Sequence, residues 1–436
     1  MRPVPGSISP SIRNIAKWCL APGLLLAAVA WTEPGARAAD EVLAGAAREP
    51  FVLPAKVPLA GYSRRKGKPS TGVHDPVGAR ALVLQDRDTT AALVSCDLLI
   101  VDERLVDAVR RRLAAQGLPE RLTLLLAATH THSGPGAYGA RFLEKLSMGH
   151  YDPAVFEELV RAIAQAVVRA HEAVEPVRLV SLAGPTQGLV RNRVDPSGPV
   201  DAELTVVGVL REQTREPLAV LVSFAAHPTT LGSWNRQVSA DYPGVAVNEL
   251  ERRFPGAVGL FFAGAVADQG PVKAGEGFEP AERIGRSLAE QAGALLLLAR
   301  TVMELPHDVG AAQQVVALPP AEVRLGRLTL PRGIGQRLVD DDATLSVVTV
   351  GGTAFVGAPC DLSAELGMRL KRAAQANGFR PMLIGFASDY IGYCVPEALY
   401  RAKRYESSMA FNGPRTGELV VERLIEMLGR LKPEAR

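Results

Sequence analysis

Along most of this chain, short apolar and β-branched runs alternate with longer amphipathic stretches, and that alternation confines it to an α/β fold. A sandwich would show only the runs, a bundle only the stretches. The runs predict strands at Arg80–Gln85, Ala91–Cys96, Leu122–Ala128, Thr205–Leu210, Ala219–Ala225, Val258–Ala263, Leu345–Val350, Ala354–Val356 and Pro381–Phe386. Helical periodicity, with several ends marked by Gly or Pro, predicts helices at Glu103–Gln116, Pro153–Glu172, Pro243–Phe254, Pro280–Leu298, Ser363–Asn377 and Gly417–Leu431. The expectation is one large domain of mixed β-sheets flanked by helices over residues 40–436, in which the Pro-rich stretch 303–343 is an irregular insertion or small subdomain.

Residues 1–39 read as a signal peptide and are set apart from the fold. Arg2, Arg13 and Lys17 precede an apolar core from Trp18 to Trp31, and Ala36-Arg37-Ala38 is a small-x-small cleavage signal. The core is shorter than the roughly 20 residues that span a bilayer, so a secreted or periplasmic protein is expected. Cleavage removes four cations and one anion, which takes the formal net charge from +3 to zero. A chain without basic excess has no electrostatic claim on nucleic acid, and Arg64-Arg65-Lys66-Gly67-Lys68 reads as a solvated loop. Of the three cysteines that remain, Cys96, Cys360 and Cys394, at most two can pair, so this is not a disulfide scaffold. Nothing matches a P-loop or a dinucleotide fingerprint.

Chemistry concentrates at strand ends. Thr129-His130-Thr131-His132-Ser133-Gly134-Pro135 follows the Leu122–Ala128 run, and if extended geometry persists, His130 and His132 point to the same side. A second run, Leu218 to Ala226, delivers His227-Pro228-Thr229 in the same way. Sites in α/β folds sit just beyond strand ends, and imidazole serves both as metal ligand and as acid or base. Two or three histidines do not complete a catalytic zinc shell, so a carboxylate or another donor must come from elsewhere. Asp361, after Gly357-Ala358-Pro359-Cys360, fits that need, with the alternative that it merely caps the helix near Ser363.

Together Gly61-Tyr62, Val94-Ser95-Cys96-Asp97, the Thr129–Pro135 block, Asn192-Arg193, Phe224-Ala225-Ala226-His227-Pro228-Thr229, Asp361 with Gly367 and Arg369, Tyr390-x-x-Tyr393 and Tyr405-Glu406 resemble the catalytic domain of the neutral/alkaline, non-lysosomal ceramidases. The resemblance implies a Zn2+ ion held by two histidines, a carboxylate and a tyrosine, here His130, His227, Asp361 and Tyr393, with Tyr390 as the near neighbour that a small slip would exchange for Tyr393. It implies hydrolysis of an N-acyl amide by water that the zinc activates, with His132, Arg193 and Tyr405 bonding the reacting carbonyl and the tetrahedral intermediate. Asp241 matches a recurring acid, and either orients a ligand histidine or, equally, forms a turn. The implied partner is a small-molecule or lipid amide substrate, with peripheral contact to membrane lipid and the oligomeric state left open.

Three departures qualify the resemblance. Asp361 stands where the family carries Glu, one methylene longer. Ala267 stands where the family carries a catalytic serine, in Phe262-Ala263-Gly264-Ala265-Val266-Ala267-Asp268-Gln269, so either water activated by the metal works with Asp268, a candidate catalytic residue, or Gln269 supplying polar contacts there, or the substrate differs with the metal mechanism intact, and the second is preferred. The chain is also expected to lack the C-terminal β domain of full-length ceramidases. The reading is an exported zinc-dependent amidohydrolase; the alternatives are a metal-dependent esterase or phosphoesterase, or a non-catalytic ligand-binding homologue. If Asp361 and Tyr393 converge, Cys360 and Cys394 come close enough to bond; otherwise they are small buried core residues.

Overall fold

Alternation along a single strand sets the layering of the protein. In Gly78–Gln85, Ala81 and Val83 turn toward a layer of helices while Leu82 and Leu84 turn toward a second sheet, and all four are fully buried. The same happens in Thr123–Ala128, where Leu124 and Leu126 face helices and Leu125 faces the second sheet. A strand covered on both faces reads as a continuous apolar run, which is why these segments were visible in the sequence.

The computed structural model describes residues 41–301, 308–325, 328–402 and 405–432; the expected signal peptide, with Cys19, lies outside them. The first sheet has eight strands: β1 (Leu43–Pro50), β2 (Gly78–Gln85), β3 (Thr90–Cys96), β4 (Thr123–Ala128), β5 (Glu175–Pro185), β6 (Glu203–Arg211), β7 (Pro217–Phe224) and β8 (Val258–Ala263). Their order is β8-β7-β6-β5-β1-β2-β3-β4, antiparallel except for the parallel pairs at the two edges, β7 with β8 and β3 with β4. The sheet coils until β8 touches β2, β3 and β4, and Ser95 donates a 2.6 Å hydrogen bond to the Phe261 carbonyl across that approach. Coiling therefore brings the two histidine-bearing edges together.

Helices α1 (Glu103–Ala115), α3 (Pro153–Glu172), α4 (Asp241–Arg253) and α5 (Glu279–Ala299) cover the outer face of this sheet, and the short α2 (Phe142–Met148) precedes α3. The inner face packs on a second sheet of β9 (Val309–Ala317), β10 (Asp342–Val350), β11 (Thr353–Gly357) and β12 (Arg380–Ile384), in that order. Helices α6 (Ala364–Ala376) and α7 (Thr416–Arg430) close the far side, giving a helix–sheet–sheet–helix arrangement. Mixed sheets with flanking helices are what the alternation predicted. Among the described residues no helix is long and apolar enough to cross a membrane.

The stretch 303–343 differs from expectation. Residues 309–317 form β9, a full partner of β10 over nine register positions, and residues 324–325 and 328–329 make a small hairpin. Most of β9 is only half buried, and Ala311-Ala312-Gln313-Gln314 gives no apolar run to read. Two other strands, β1 and β5, were also invisible: β1 is rich in Ala and Gly, and β5 carries Pro near both ends. Gly45 in β1 is required, because a Cβ there would lie 2.0 Å from the Ala170 carbonyl oxygen of α3.

Phe262 is fully buried between the two sheets. Phe262→Ala is expected to cost about 3–5 kcal/mol, from lost transfer energy plus a cavity that the flanking sheets cannot close. Urea unfolding checks this as a lowered midpoint at unchanged slope.

Candidate metal centre

Strand β4 ends at Ala128, before the histidines, so strand alternation does not aim them. His130 instead takes a left-handed backbone conformation, φ 63°, an uncommon one for a residue with a Cβ. Two contacts hold it there. Its ring stacks on Phe386 at 3.8 Å between centroids, and its Nδ1 lies 2.6 Å from the Leu99 carbonyl oxygen. Phe386 is itself at φ 54°, so two strained residues support one another beside the site.

The turn brings three imidazoles to one point. The His130 and His227 Nε2 atoms are 2.9 Å apart, those of His132 and His227 3.0 Å, and those of His130 and His132 3.2 Å. His132 thus stands with the candidate ligands, where the resemblance sets it apart as a group that bonds the reacting carbonyl and the tetrahedral intermediate. Gly61 makes room for it: at φ 104°, a Cβ on that residue would lie 2.6 Å from His132 Nδ1.

The donor chemistry fits a divalent cation. His130 Nδ1 faces the Leu99 carbonyl and His227 Nδ1 faces the Val266 carbonyl at 3.4 Å; a carbonyl only accepts, so each Nδ1 carries the proton and each Nε2 presents a lone pair. Two lone pairs pointed at each other across 2.9 Å repel unless a cation lies among them. Protons are poorly suited to that task, because burial lowers all three imidazoles and takes His130 down to about 3. Tetrahedral zinc with Zn–N bonds of about 2.0–2.1 Å separates its nitrogens by roughly 3.3 Å, close to the spacings here.

Asp361 supplies the carboxylate beside them. Its Oδ1 is 3.8 Å from His130 Nε2 and has no hydrogen-bond partner although fully buried. Its Oδ2 accepts from the Tyr390 hydroxyl at 2.9 Å, and burial raises its pKa to about 7. The helix cap is Ser363, two residues further on, whose hydroxyl accepts from the Leu366 backbone. Capping therefore does not occupy Asp361. Of the two tyrosines in question, Tyr390 bonds the carboxylate, whereas the Tyr393 hydroxyl accepts from Arg193 Nη2 at 3.1 Å.

Arg193 is held by the Ala267 carbonyl, to which Nε and Nη2 donate at 3.1 and 2.7 Å. The methyl of Ala267 is buried against Tyr393, so no hydroxyl stands at this point. Tyr405 lies at the edge of the cavity, 61% exposed, its ring 6.0 Å from that of Tyr393. The cavity, about 140 Å3, is lined by His130, His132, Asp361, Tyr393 and Tyr405 together with apolar Leu143, Met148, Leu338 and Val339 and with Arg141 and Asp340.

Two acids near the site are held by contacts to loops and helix starts. The Asp268 carboxylate accepts from the Ala364 backbone at 2.8 Å and from Asn192 at 3.3 Å, so it ties the start of α6 to the loop before Arg193 and does not serve as a free acid or base in the cavity. Asp241 accepts from Thr230, from the Leu231 backbone at 3.1 Å and from the Tyr242 backbone at 2.7 Å. It fixes the loop after His227, and the imidazoles of His130 and His227 face carbonyls in place of a carboxylate. Cys360 and Cys394 are buried free thiols.

Two positioning residues were misjudged or undervalued. Arg65, read as part of a solvated loop, is buried and donates to the carbonyls of Ala60 (2.8 Å), His132 (2.6 Å), Asn235 (3.0 Å) and Gly232 (3.3 Å). Gln269 accepts from the Asp201 backbone at 2.7 Å and donates to Ala225 at 2.8 Å and Ala265 at 3.0 Å, while its carbonyl receives the His227 N–H at 3.2 Å. Gln269→Leu strips partners from those buried backbone groups. The expected result is about a 10- to 100-fold loss of metal affinity with the fold retained, read by competition against a zinc chelator.

Clustered imidazoles, a buried carboxylate and a fixed guanidinium at the ends of sheet strands define a hydrolase-type site. The chain belongs to the neutral/alkaline non-lysosomal ceramidase family, whose N-terminal model matches residues 53–270. The neutral ceramidase of Pseudomonas aeruginosa is 24% identical over 87% of this chain and 70% of its own length. That of Mycobacterium tuberculosis is 30% identical over 46% of this chain, and the match spans about a third of that relative, 34%. The crystal structure of the Pseudomonas enzyme superposes with a TM-score of 0.81 at 22% identity, covering 90% of this chain and 75% of that one, and a ceramidase complexed with C2 superposes with the same score.

Proposed function

We propose that this chain is an exported, zinc-dependent amidohydrolase that cleaves N-acyl amides of the ceramide type. The observation that carries the reading is the meeting of three Nε2 atoms within 3.2 Å beside the unpartnered Oδ1 of buried Asp361. A zinc ion bound by these imidazoles with Asp361 supplies Lewis acidity toward the scissile carbonyl and lowers the pKa of water. The protein's own groups do the rest. Asp361 would offer its unpartnered Oδ1 to the ion, while the Tyr390 hydroxyl holds Oδ2 at 2.9 Å and fixes the carboxylate's orientation. Arg193, fixed by the Ala267 carbonyl and bonded to Tyr393, directs positive charge toward the oxygen on which negative charge develops. Tyr405, at the mouth, is placed to donate to the amide as it enters.

Ala267 offers no nucleophile, so the reading requires water and not an acyl-enzyme. The relatives named above support amide hydrolysis, and the leader at residues 1–39 supports export to the secreted or periplasmic space. Hydrolysis of N-lauroyl-sphingosine by purified protein tests the reading, with 1,10-phenanthroline and then added zinc. Turnover lost to the chelator and regained with zinc is expected; unchanged turnover in chelator, or no cleavage of any N-acyl amine, overturns it.

A further inference from the structure

The cavity that holds His130 and His132 is also lined by two elements far apart in sequence. One is α2, which contributes Leu143 and Met148; the other is the arm before β10, which contributes Leu338 and Val339. The two are clasped by an ion pair. Arg141, immediately before α2, reaches both carboxylate oxygens of Asp340, with Nη2 to Oδ1 at 2.6 Å, in a parallel two-bond geometry that is both strong and directional. The side chains are 33% and 18% exposed, so solvent screens the pair only in part.

The two sides of the clasp are anchored differently. Asn412 donates to the Asp340 carbonyl at 3.0 Å and to Pro319 at 3.3 Å, which fixes the arm against the second sheet. Helix α2 is seven residues long and turns Phe142 (60% exposed) and Leu146 (50%) to solvent, while its last turn is tied down by buried Met148 and by the Ser147 and Met148 carbonyls, which accept from the Gly61 and Ala137 backbones at 3.0 and 2.8 Å. Helices this short are marginal without tertiary support, and the first turn of α2, next to Arg141, is the part held to the arm through the clasp. With the clasp shut the cavity is about 140 Å3, against roughly 300–1,000 Å3 for pockets that take a drug-sized molecule.

We infer that the Arg141–Asp340 clasp selects acyl length: the closed jaws admit short-chain N-acyl amides, and a long acyl chain enters only when the ion pair breaks. The inference rests on the amidase reading for the identity of the substrate but not for the shape of the cavity. Arg141→Met and Asp340→Asn relieve the clasp, and the reversed pair Arg141→Glu with Asp340→Arg restores it.

Two readouts test this on the folded full-length mature chain, with thermal melting as the check on folding. The first is the ratio of kcat/KM for N-palmitoyl- over N-hexanoyl-sphingosine, expected to rise about fivefold or more in each single variant and to return toward wild type in the reversed pair. The second is the affinity for a fluorescent twelve-carbon fatty acid relative to hexanoate, expected to move in the same direction without any turnover. An unchanged chain-length preference in both single variants by both readouts overturns the clasp. If wild type cleaves neither amide while the fatty-acid affinities shift as stated, the amidase reading fails and the clasp stands.

Discussion

His227→Ala is expected to lower amide turnover by on the order of 10^3-fold and to release the bound metal, the largest effect of any single substitution considered. His227 is the imidazole shared by the two shortest contacts in the cluster, at 2.9 and 3.0 Å, and it comes from the opposite edge of the coiled sheet from the other two. Removing it leaves His130 and His132 on one turn, without the third direction that a tetrahedral ion requires. Fold stability gives a separable signal. His227 is buried and neutral, so the variant loses one ring from a tight cluster but leaves no uncompensated charge. Turnover and metal content measured together on the folded variant check the prediction; retention of either contradicts it.

Arg193→Lys is expected to lower kcat by about 10^2- to 10^3-fold with a much smaller change in KM. The guanidinium uses its fork: Nε and Nη2 share the Ala267 carbonyl, and Nη2 also serves Tyr393. A lysine ammonium keeps the charge but cannot hold both partners in a fixed plane, so the charge is no longer aimed at the developing oxyanion. Steady-state kinetics separate this from simple loss of substrate binding, which would raise KM and spare kcat.

Much of the scaffold was legible because burial on two faces writes itself as apolar runs. Val258–Ala263 and Pro153–Glu172 appear in the structure with the same ends that the pattern predicts. Strands such as Leu43–Pro50 and Val309–Ala317 carry Ala, Gly and Gln because they pack closely against helix backbone or lie half exposed, and composition of that kind does not announce a strand. At the site, the pairing of histidines with strand ends located the centre. Its detail came from features that leave no periodic signal: the left-handed turn at His130, the stacking of Phe386, the burial of Arg65 and the carbonyls that set both imidazole tautomers. Asp268 and Asp241 show the limit of reading acids from sequence: each lies near the site, and each spends its oxygens on a backbone N–H and a neighbouring side chain, Asn192 or Thr230.

Anomalous diffraction at the zinc absorption edge, from crystals of the protein grown with equimolar zinc, tests the central claim most directly. The account predicts one peak bounded by the Nε2 atoms of His130, His132 and His227, about 2.0–2.1 Å from each nitrogen that ligates it. A peak elsewhere, with the three imidazoles hydrogen-bonded to one another around an empty centre, would contradict it.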